Sequence, residues 1–313
     1  MRCRQVLVDH GYTRKTVNQH ISRVRRVFKW GVAEGLVEVS TWQALLAVEG
    51  LRYGEAKRES RKIRPADEDR VEAVRSHVTP PVWTMIQLQL WTGMRPGEVR
   101  QMRTCDIVAD DPALPPSVRG MCWVYRPASH KTEHHERSRL ILLGPHAQEI
   151  LQPWLRPNDL TAHLFSPTEG RQWWLNKKRG SGKHPNQKDR RKPGAKQPHG
   201  TMYTKTSYRH SIKTGCELAF GMPAHLRRIR KKLKDGTPVP VEELTELRRQ
   251  AREWRKQHCW HPHQLRHTAA TKIRKAYGIE IARIILGHAH VSITEIYAER
   301  DLEAAAKAMA AIG

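Results

Sequence analysis

Cationic and titratable side chains crowd the stretch 261–267, which reads HPHQLRH. His263 and Arg266 are three residues apart, so they would share one face of a helix. A turn of this composition is suited to holding an anion. A metal site is the alternative, because His263 and His267 are four residues apart with Cys259 nearby. The Cys/His spacing does not match a closed zinc site, however, and we predict no bound metal.

A second candidate for anion chemistry is the stretch TGMRPGEV. Gly93 is typical of a helix end, and Pro96 is typical of the first turn of a new helix. Arg95 lies at this junction, where its guanidinium and the free N–H groups of the new helix both favour an anion. Glu98 follows three residues later and could orient Arg95.

Two further stretches hold titratable side chains that could contact a bound substrate. In SHKTEHH, Lys131 lies at the predicted tip of a hairpin between strands at 122–127 and 137–145. In LGHAHVSITEIYAERD, His288 closes a short helix and Tyr297 follows nine residues later. Taken singly, these would be a surface lysine and an ordinary half-buried aromatic.

The overall composition indicates which kind of molecule these residues would bind. The chain of 313 residues carries 56 Lys and Arg against 31 Asp and Glu, a formal net charge of +25. Such an excess destabilises a compact state unless a polyanion offsets it, so nucleic acid is the first candidate and an anionic membrane surface the second. No apolar run approaches the ~20 residues that cross a bilayer. The five scattered cysteines form no CxxC pair, and no signal peptide is apparent, so we expect a cytoplasmic protein.

The elements that must position these residues follow from periodicity. Residues 13–35 show one apolar face, Val17, Ile21, Val24 and Phe28, as in an amphipathic helix. Six cations cover much of the remaining surface, which favours contact with phosphates, the alternative being a solvated charged face: Arg14, Lys15, Arg23, Arg25, Arg26 and Lys29.

Further helices are predicted near 67–77, 80–93, 146–155, from about 241, at 263–277, at 280–287 and at 301–312. A third strand is predicted at 105–108. The stretch 177–200 is predicted to be a flexible basic loop with Arg190, Arg191 and Lys192 as DNA contacts. The last helix has an apolar stripe of Leu302, Ala305, Met309 and Ile312.

As a set, the phrases TGMRPGE, HKT, HQLRH, LGH and a tyrosine nine residues past that histidine resemble the tyrosine recombinase, or phage integrase, family. The flanking phrases WVYRPASHKTEHH and YAERD resemble the integrase-like recombinases of planctomycete-type bacteria. The resemblance runs from about Thr13 to the end. It implies a mainly α fold with a small antiparallel β-sheet. The implied domains are a partial helical core-binding domain (SAM-like) at 1–50, a linker at 51–65 and a catalytic domain at 66–313 with a basic insertion at about 177–260.

The resemblance also implies roles for the residues. Tyr297 would attack a scissile phosphodiester and form a 3′-phosphotyrosyl link, which conserves the bond energy and removes any need for ATP. Lys131 would protonate the leaving 5′ oxygen, and His263 would assist proton transfer or hold the phosphate. Arg95 and Arg266 would clamp the non-bridging oxygens. His288 would add a hydrogen bond to the same phosphate, and Glu98 would support the arginine.

The implied activity is site-specific recombination or integration of double-stranded DNA, without metal or other cofactors. The implied assembly is a homo-tetramer on two DNA sites, joined through the C-terminal helix, with no membrane partner. The region before residue 51 is shorter than the family's usual core-binding domain, so we expect a less complete clamp around DNA. A type IB topoisomerase and a non-catalytic DNA-binding relic stay open as alternatives.

Overall fold

The computed structural model describes residues 2–60, 64–129, 139–180, 200–231, 236–287 and 302–312, with side chains left undescribed at residues 2, 178–180 and 302–305. The chain divides into two compact units, Met1–Ile63 and Arg64–Gly313. Helices dominate both, and the sheet has three antiparallel strands. The predicted fold class, mainly α with a small antiparallel sheet, is therefore confirmed. Among the described residues, no helix is long and apolar enough to cross a membrane.

The first unit consists of three helices, α1 (Arg2–Asp9), α2 (Arg14–Ala33) and α3 (Val39–Leu46). The side chain of Thr13 caps α2 by accepting a hydrogen bond from the Thr16 amide. The core is small and centres on Val8, Val17 and Leu51. Val24, on the predicted apolar face of α2, is 45% exposed.

Part of the predicted linker packs on the first unit. The Asn18 side chain accepts a hydrogen bond from the Leu51 amide at 2.8 Å and donates one to the Leu51 carbonyl at 3.1 Å. Glu59 pairs with Arg14 at 3.0 Å. Residues 51–60 are thus held against α2, and the domain limits drawn from the sequence remain a prediction.

The second unit contains ten helices within the described residues. They are α4 (Glu68–Glu72), α5 (Pro80–Thr92), α6 (Pro96–Arg100), α7 (Pro145–Leu151), α8 (Pro167–Gly180), α9 (Lys205–Ala219), α10 (Ala224–Arg227), α11 (Val241–His258), α12 (Pro262–Leu286) and α13 (Leu302–Ile312). Single 3₁₀ turns lie at Arg75–His77, Thr104–Asp106, Pro116–Val118 and Gln152–Trp154.

The sheet has the strand order β1-β2-β3, with β1 at Ile107–Val108, β2 at Trp123–Tyr125 and β3 at Ile141–Leu143. Ile107 pairs with Tyr125, and Tyr125 pairs in turn with Ile141. All three predicted strands are present, and each is shorter than predicted.

Helix α5 is the central element of the main core. It is apolar on most sides and lies against α12, α7, α8, α9 and β3. Its buried Gln89 is satisfied by the Met94 carbonyl and by the Tyr208 hydroxyl of α9, which donates at 2.8 Å. The helix ends at Gly93, in the left-handed conformation (φ 65°), which frees the chain to turn directly into α6.

The stretch 177–260 is more structured than its composition predicts. Helix α8 continues to Gly180, so the first residues of the predicted flexible loop are helical. This correction reflects the packing of α8 on α5, which composition alone does not show. Residues 181–199 lie outside the described part. From α9, Tyr208 and Ile212 belong to the main core, so this part of the predicted insertion is integral to it.

The helix predicted in two pieces near the C-terminus is α12, which bends at Gly278 (φ 86°, ψ 176°). The later piece contributes Ile285 and Leu286 to a second core cluster, and α13 contributes Ala306 and Met309. Helix α13 therefore packs within its own chain.

Candidate active site

The first part of the site is the start of α6. Arg95 is the N-cap residue, and Pro96 fixes the first helical position. Buried Glu98 accepts a hydrogen bond from the Arg95 amide at 2.6 Å and from Nη1 of Arg95 at 2.8 Å. The carboxylate thus holds both the backbone and the guanidinium of Arg95, as the spacing in TGMRPGEV predicts. Arg95 stays partly exposed, with 22% of its side chain accessible.

The second part is Arg266, on the first turns of α12. It is only 7% exposed. Nη1 donates to the Gly93 carbonyl at 2.7 Å, and Nη2 donates to the Leu286 carbonyl at 2.6 Å. Two of its five N–H donors are thereby used, which leaves donors for a further acceptor. Burial, followed by the charges of Arg95 and Arg139, lowers the pKa of Arg266 to about 9.

Arg139 belongs to the same cluster, although nothing in the sequence singled it out. It lies just before β3 and is 8% exposed. Its Nε is 3.4 Å from Oε1 of Glu98, and both terminal nitrogens donate to the Ile285 carbonyl at 3.2 Å. The carboxylate of Glu98 therefore serves two guanidinium groups. Burial is the largest single influence on the pKa of Glu98 and would raise it, but the charge of Arg139 and the hydrogen bonds and charge of Arg95 together hold that pKa below its ordinary value.

An open cleft of about 690 Å³ lies beside these groups. Arg95, Glu98 and His263 line it, so three of the predicted site residues meet there. Lys205 and Arg209, exposed residues of α9, also line it. Sequence reasoning missed both, and their four-residue spacing on one helix face was the available indication.

Two histidines of the cleft are held toward the neutral form. Burial is the largest cause of the lowered pKa of His263, followed by the charges of Arg266, His267, Lys205 and Arg95. Burial also lowers the pKa of His261, with Arg209 next in effect. Near neutral pH both rings can therefore accept a proton, and an arriving anion would raise their affinity for one.

Several predicted site residues lie outside the described residues. They are the catalytic candidates Lys131, His288 and Tyr297 and the DNA-contact candidates Arg190, Arg191 and Lys192. Gly287 ends α12 in the left-handed conformation (φ 59°), as the LGH phrase predicts, and the chain then continues into His288.

Some of the predicted DNA-binding cations of α2 make contacts within the chain. Arg14 is bound to Glu59, and Nε of Arg25 donates to the Leu45 carbonyl at 3.0 Å. Lys29 lies 6.0 Å above the ring of Trp42. The remaining three, Lys15, Arg23 and Arg26, are exposed. Lys29 is exposed as well, so four of the six predicted DNA contacts on this helix are exposed.

Metal-ligating residues do not cluster in the part of the chain that the structure describes. No group of three or more His, Cys, Asp or Glu side chains there could hold a metal ion. Among these residues the cleft lining has one carboxylate, Glu98, which is engaged by two arginines.

Comparison with known proteins gives one family. Residues 235–303 match the phage integrase family. The structure is similar to a lambda integrase fragment solved as a dimer bound to a COC′ core site, at 13% identity over 95% of this chain and 77% of that chain, with a TM-score of 0.47. The integrase from mycobacterium phage Brujita matches at 12% identity over 98% and 76%, with a TM-score of 0.44.

The Tn1549 transposon integrase, solved in complex with a circular intermediate DNA, matches at 13% identity over 94% of this chain and 78% of that one, with a TM-score of 0.41. No curated protein matches the chain.

Proposed function

Because residues 235–303 match the phage integrase family, we propose that this chain is a site-specific tyrosine recombinase that cleaves and rejoins double-stranded DNA in the cytoplasm. The observation that carries the proposal is the buried Arg266 near Arg95, where the carboxylate of Glu98 is already shared by Arg95 and Arg139. A phosphodiester is the anion that this excess of positive charge would accept.

The described residues supply the phosphate clamp. Arg95 lines the cleft, and its guanidinium is held by Glu98. Arg266 is fixed by its hydrogen bond to the Gly93 carbonyl, two residues before Arg95. Guanidinium donors fixed in this way stabilise the charge that develops on phosphorus without rearranging during the reaction. His263, neutral near pH 7, would accept or relay a proton at the same phosphate.

The remaining chemistry is assigned by the family resemblance. The Tyr297 hydroxyl would attack phosphorus, its proton would leave to a base, and the 5′ oxygen would depart with a proton from Lys131. His288 would donate a hydrogen bond to a non-bridging oxygen. The covalent phosphotyrosyl link keeps the energy of the broken bond, so rejoining is the reverse of the same step and requires neither ATP nor metal.

A nicked duplex carrying the flanking repeats of the gene tests the chemistry. The native chain should form a covalent protein–DNA adduct in the presence of EDTA, and Tyr297→Phe should form none. Tyr277→Phe is the matched control, because Tyr277 is an exposed tyrosine of α12 outside the cleft. An adduct that persists in Tyr297→Phe would disprove the assignment of the nucleophile.

The same assay separates the rival functions. A recombinase should yield a product joining two DNA sites, whereas relaxation of supercoiled DNA that lacks any specific site would indicate a topoisomerase. DNA binding without an adduct would indicate a non-catalytic relic.

We also propose a homo-tetramer on two DNA sites. Light scattering of the DNA complex should give four chains, and since α13 packs within its own chain, deleting residues 301–313 tests whether that helix contributes to assembly.

A further inference from the structure

Three consecutive carbonyl groups end α12, and each accepts a hydrogen bond from a different arginine. The Ile285 carbonyl is bound by Arg139, and the Leu286 carbonyl by Arg266. Nη2 of Arg95 lies 3.5 Å from the Gly287 carbonyl. The last carbonyls of a helix have no partner within it and form the negative end of its dipole, so three guanidinium groups complement this helix end both sterically and electrostatically.

Arg139 differs from the other two in what it can reach. Arg95 lines the cleft, whereas Arg139 and Arg266 are both buried and outside the cleft lining. Arg266 donates to two carbonyls and keeps further donors for an anion, but Arg139 donates to three different acceptors. Its nitrogens are directed to Glu98, to its neighbour's carbonyl at Leu140 and to Ile285. Arg139 therefore contacts Glu98, which binds Arg95, and the C-terminal end of α12. It does not line the cleft in which a substrate would bind.

Close packing strengthens this connection. A Cβ atom built on Gly287 would lie 2.5 Å from Nη1 of Arg139, so the guanidinium fills the space that a side chain would need. Gly287 also requires its left-handed φ of 59°. The backbone that leaves α12 toward His288 is thus set against the guanidinium of Arg139.

We propose that Arg139 is a positioning residue of the active site, which orients Arg95 through Glu98 and fixes the end of α12 through the Ile285 carbonyl. This inference rests on the proposed function for its effect on DNA cleavage. Arg139 touches no reacting atom. It acts because a buried carboxylate shared by two guanidiniums holds both in one geometry, and a clamp displaced by about 1 Å costs roughly 10²-fold in rate.

The removal of Arg139 has a defined consequence for Glu98. The carboxylate would lose one of its two cationic partners while remaining buried, and its pKa would rise from its present lowered value. The other groups that face it are Arg95 at the N-cap, Arg266 of α12 and Tyr125 of β2. Protonation of Glu98 would then release Arg95 at a pH where the native chain still holds it.

The test uses the full chain with Arg139→Met and, as a matched control, Arg119→Met. Arg119 also donates to two backbone carbonyls, those of Leu114 and Pro112, but outside the cleft. We expect Arg139→Met to slow adduct formation on nicked DNA about 10²-fold, with affinity for the same duplex nearly unchanged. Its rate should also fall further as the pH is lowered, more steeply than for the native chain. Arg119→Met should match the native chain in all three measurements.

A second measurement does not depend on activity. Hydrogen–deuterium exchange of peptides covering 279–287 should become faster in Arg139→Met and stay unchanged in Arg119→Met. If the native chain forms no adduct, the proposed function fails, whereas the exchange result still tests the position of Arg139. Should Arg139→Met fail to fold, Arg139→Lys replaces it, and we expect an intermediate rate because one ammonium cannot reach both Glu98 and Ile285.

Two outcomes would overturn the inference. One is a folded Arg139 variant whose adduct rate and pH profile equal those of the native chain. The other is unchanged exchange at the end of α12, because the carbonyl contacts would then contribute nothing to holding that turn.

Discussion

Arg95 and Arg266 belong to the same cluster of arginines but are held by different kinds of partner. Arg95 is bound to the carboxylate of Glu98, which compensates its charge. Arg266 is bound to the carbonyls of Gly93 and Leu286, which offer dipoles without a net charge. Burial and two neighbouring arginines accordingly lower the pKa of Arg266 to about 9. The difference teaches that an incoming phosphate has most to gain at the arginine that lacks a counter-ion.

The largest expected effect comes from Arg266→Lys. A lysine carries one ammonium in place of a planar fork, so it cannot bind two carbonyls and a phosphate together. We expect adduct formation on nicked DNA to slow about 10²–10³-fold. Arg274→Lys, at an exposed position of the same helix, is the control. A smaller loss than that caused by Arg95→Lys would break the comparison.

Glu98→Gln tests the other half of the comparison, the arginine whose charge is compensated. The amide keeps the shape of the carboxylate but removes the charge that compensates Arg95 and Arg139. Charge-assisted hydrogen bonds are about twice as strong as neutral ones. We expect about a tenfold slower adduct formation, with DNA affinity retained. Glu72→Gln, which breaks an exposed pair with Arg75, should leave the rate at the native value.

The buried charge of Arg266, which has no counter-ion in its hydrogen bonds, should affect the thermal stability of the chain. The pKa of Arg266 is lower in the folded chain than in the unfolded one, so the folded state gains stability from this group only as the pH rises above about 9. Below pH 9 the full cost of the buried charge is present. A short duplex should therefore raise the Tm of the native chain by roughly 2–4 °C for each kcal/mol of binding. The rise should be smaller in Arg266→Gln, and an equal rise would contradict the role of this charge.

The smallest effect should come from the histidines of the cleft. Their pKa values are lowered in the folded chain, chiefly by burial. As the pH falls below about 6.5, the unfolded chain therefore takes up protons first, and the free energy of unfolding decreases. Urea unfolding at pH 7.5 and 5.5 should show this decrease in the native chain and a smaller one in His263→Gln. His210→Gln, at an exposed position of α9, should behave as the native chain does.

Local patterns predicted much of the site. Gly93 and Pro96 mark a helix end and a helix start, which fixed the junction where Arg95 lies, and Glu98 occupies the predicted supporting position. The phrase HQLRH predicted that His263 and Arg266 share the start of one helix. These features depend on residues three or four apart, which is the range over which helix geometry is decided.

Arg139 could not be found in this way. Its partners, Glu98 and Ile285, are 41 and 146 residues away. Its burial depends on how the end of α12 meets β3, and an arginine beside a strand is ordinarily a surface residue. Lys205 and Arg209 were missed for a related reason, because composition alone made their region look like an insertion.

The bend at Gly278 has a consequence for how the site is assembled. It leaves 279–286 as a separate short helical segment, and segments of this length are marginal in water without outside contacts. Its contacts are the packing of Ile285 and Leu286 and the three arginines at its exit. The segment can therefore melt and re-form as a unit while the first turns of α12 stay folded. The contacts of Arg95, Arg139 and Arg266 with the end of α12 would then form or break together, as a cooperative unit smaller than the domain.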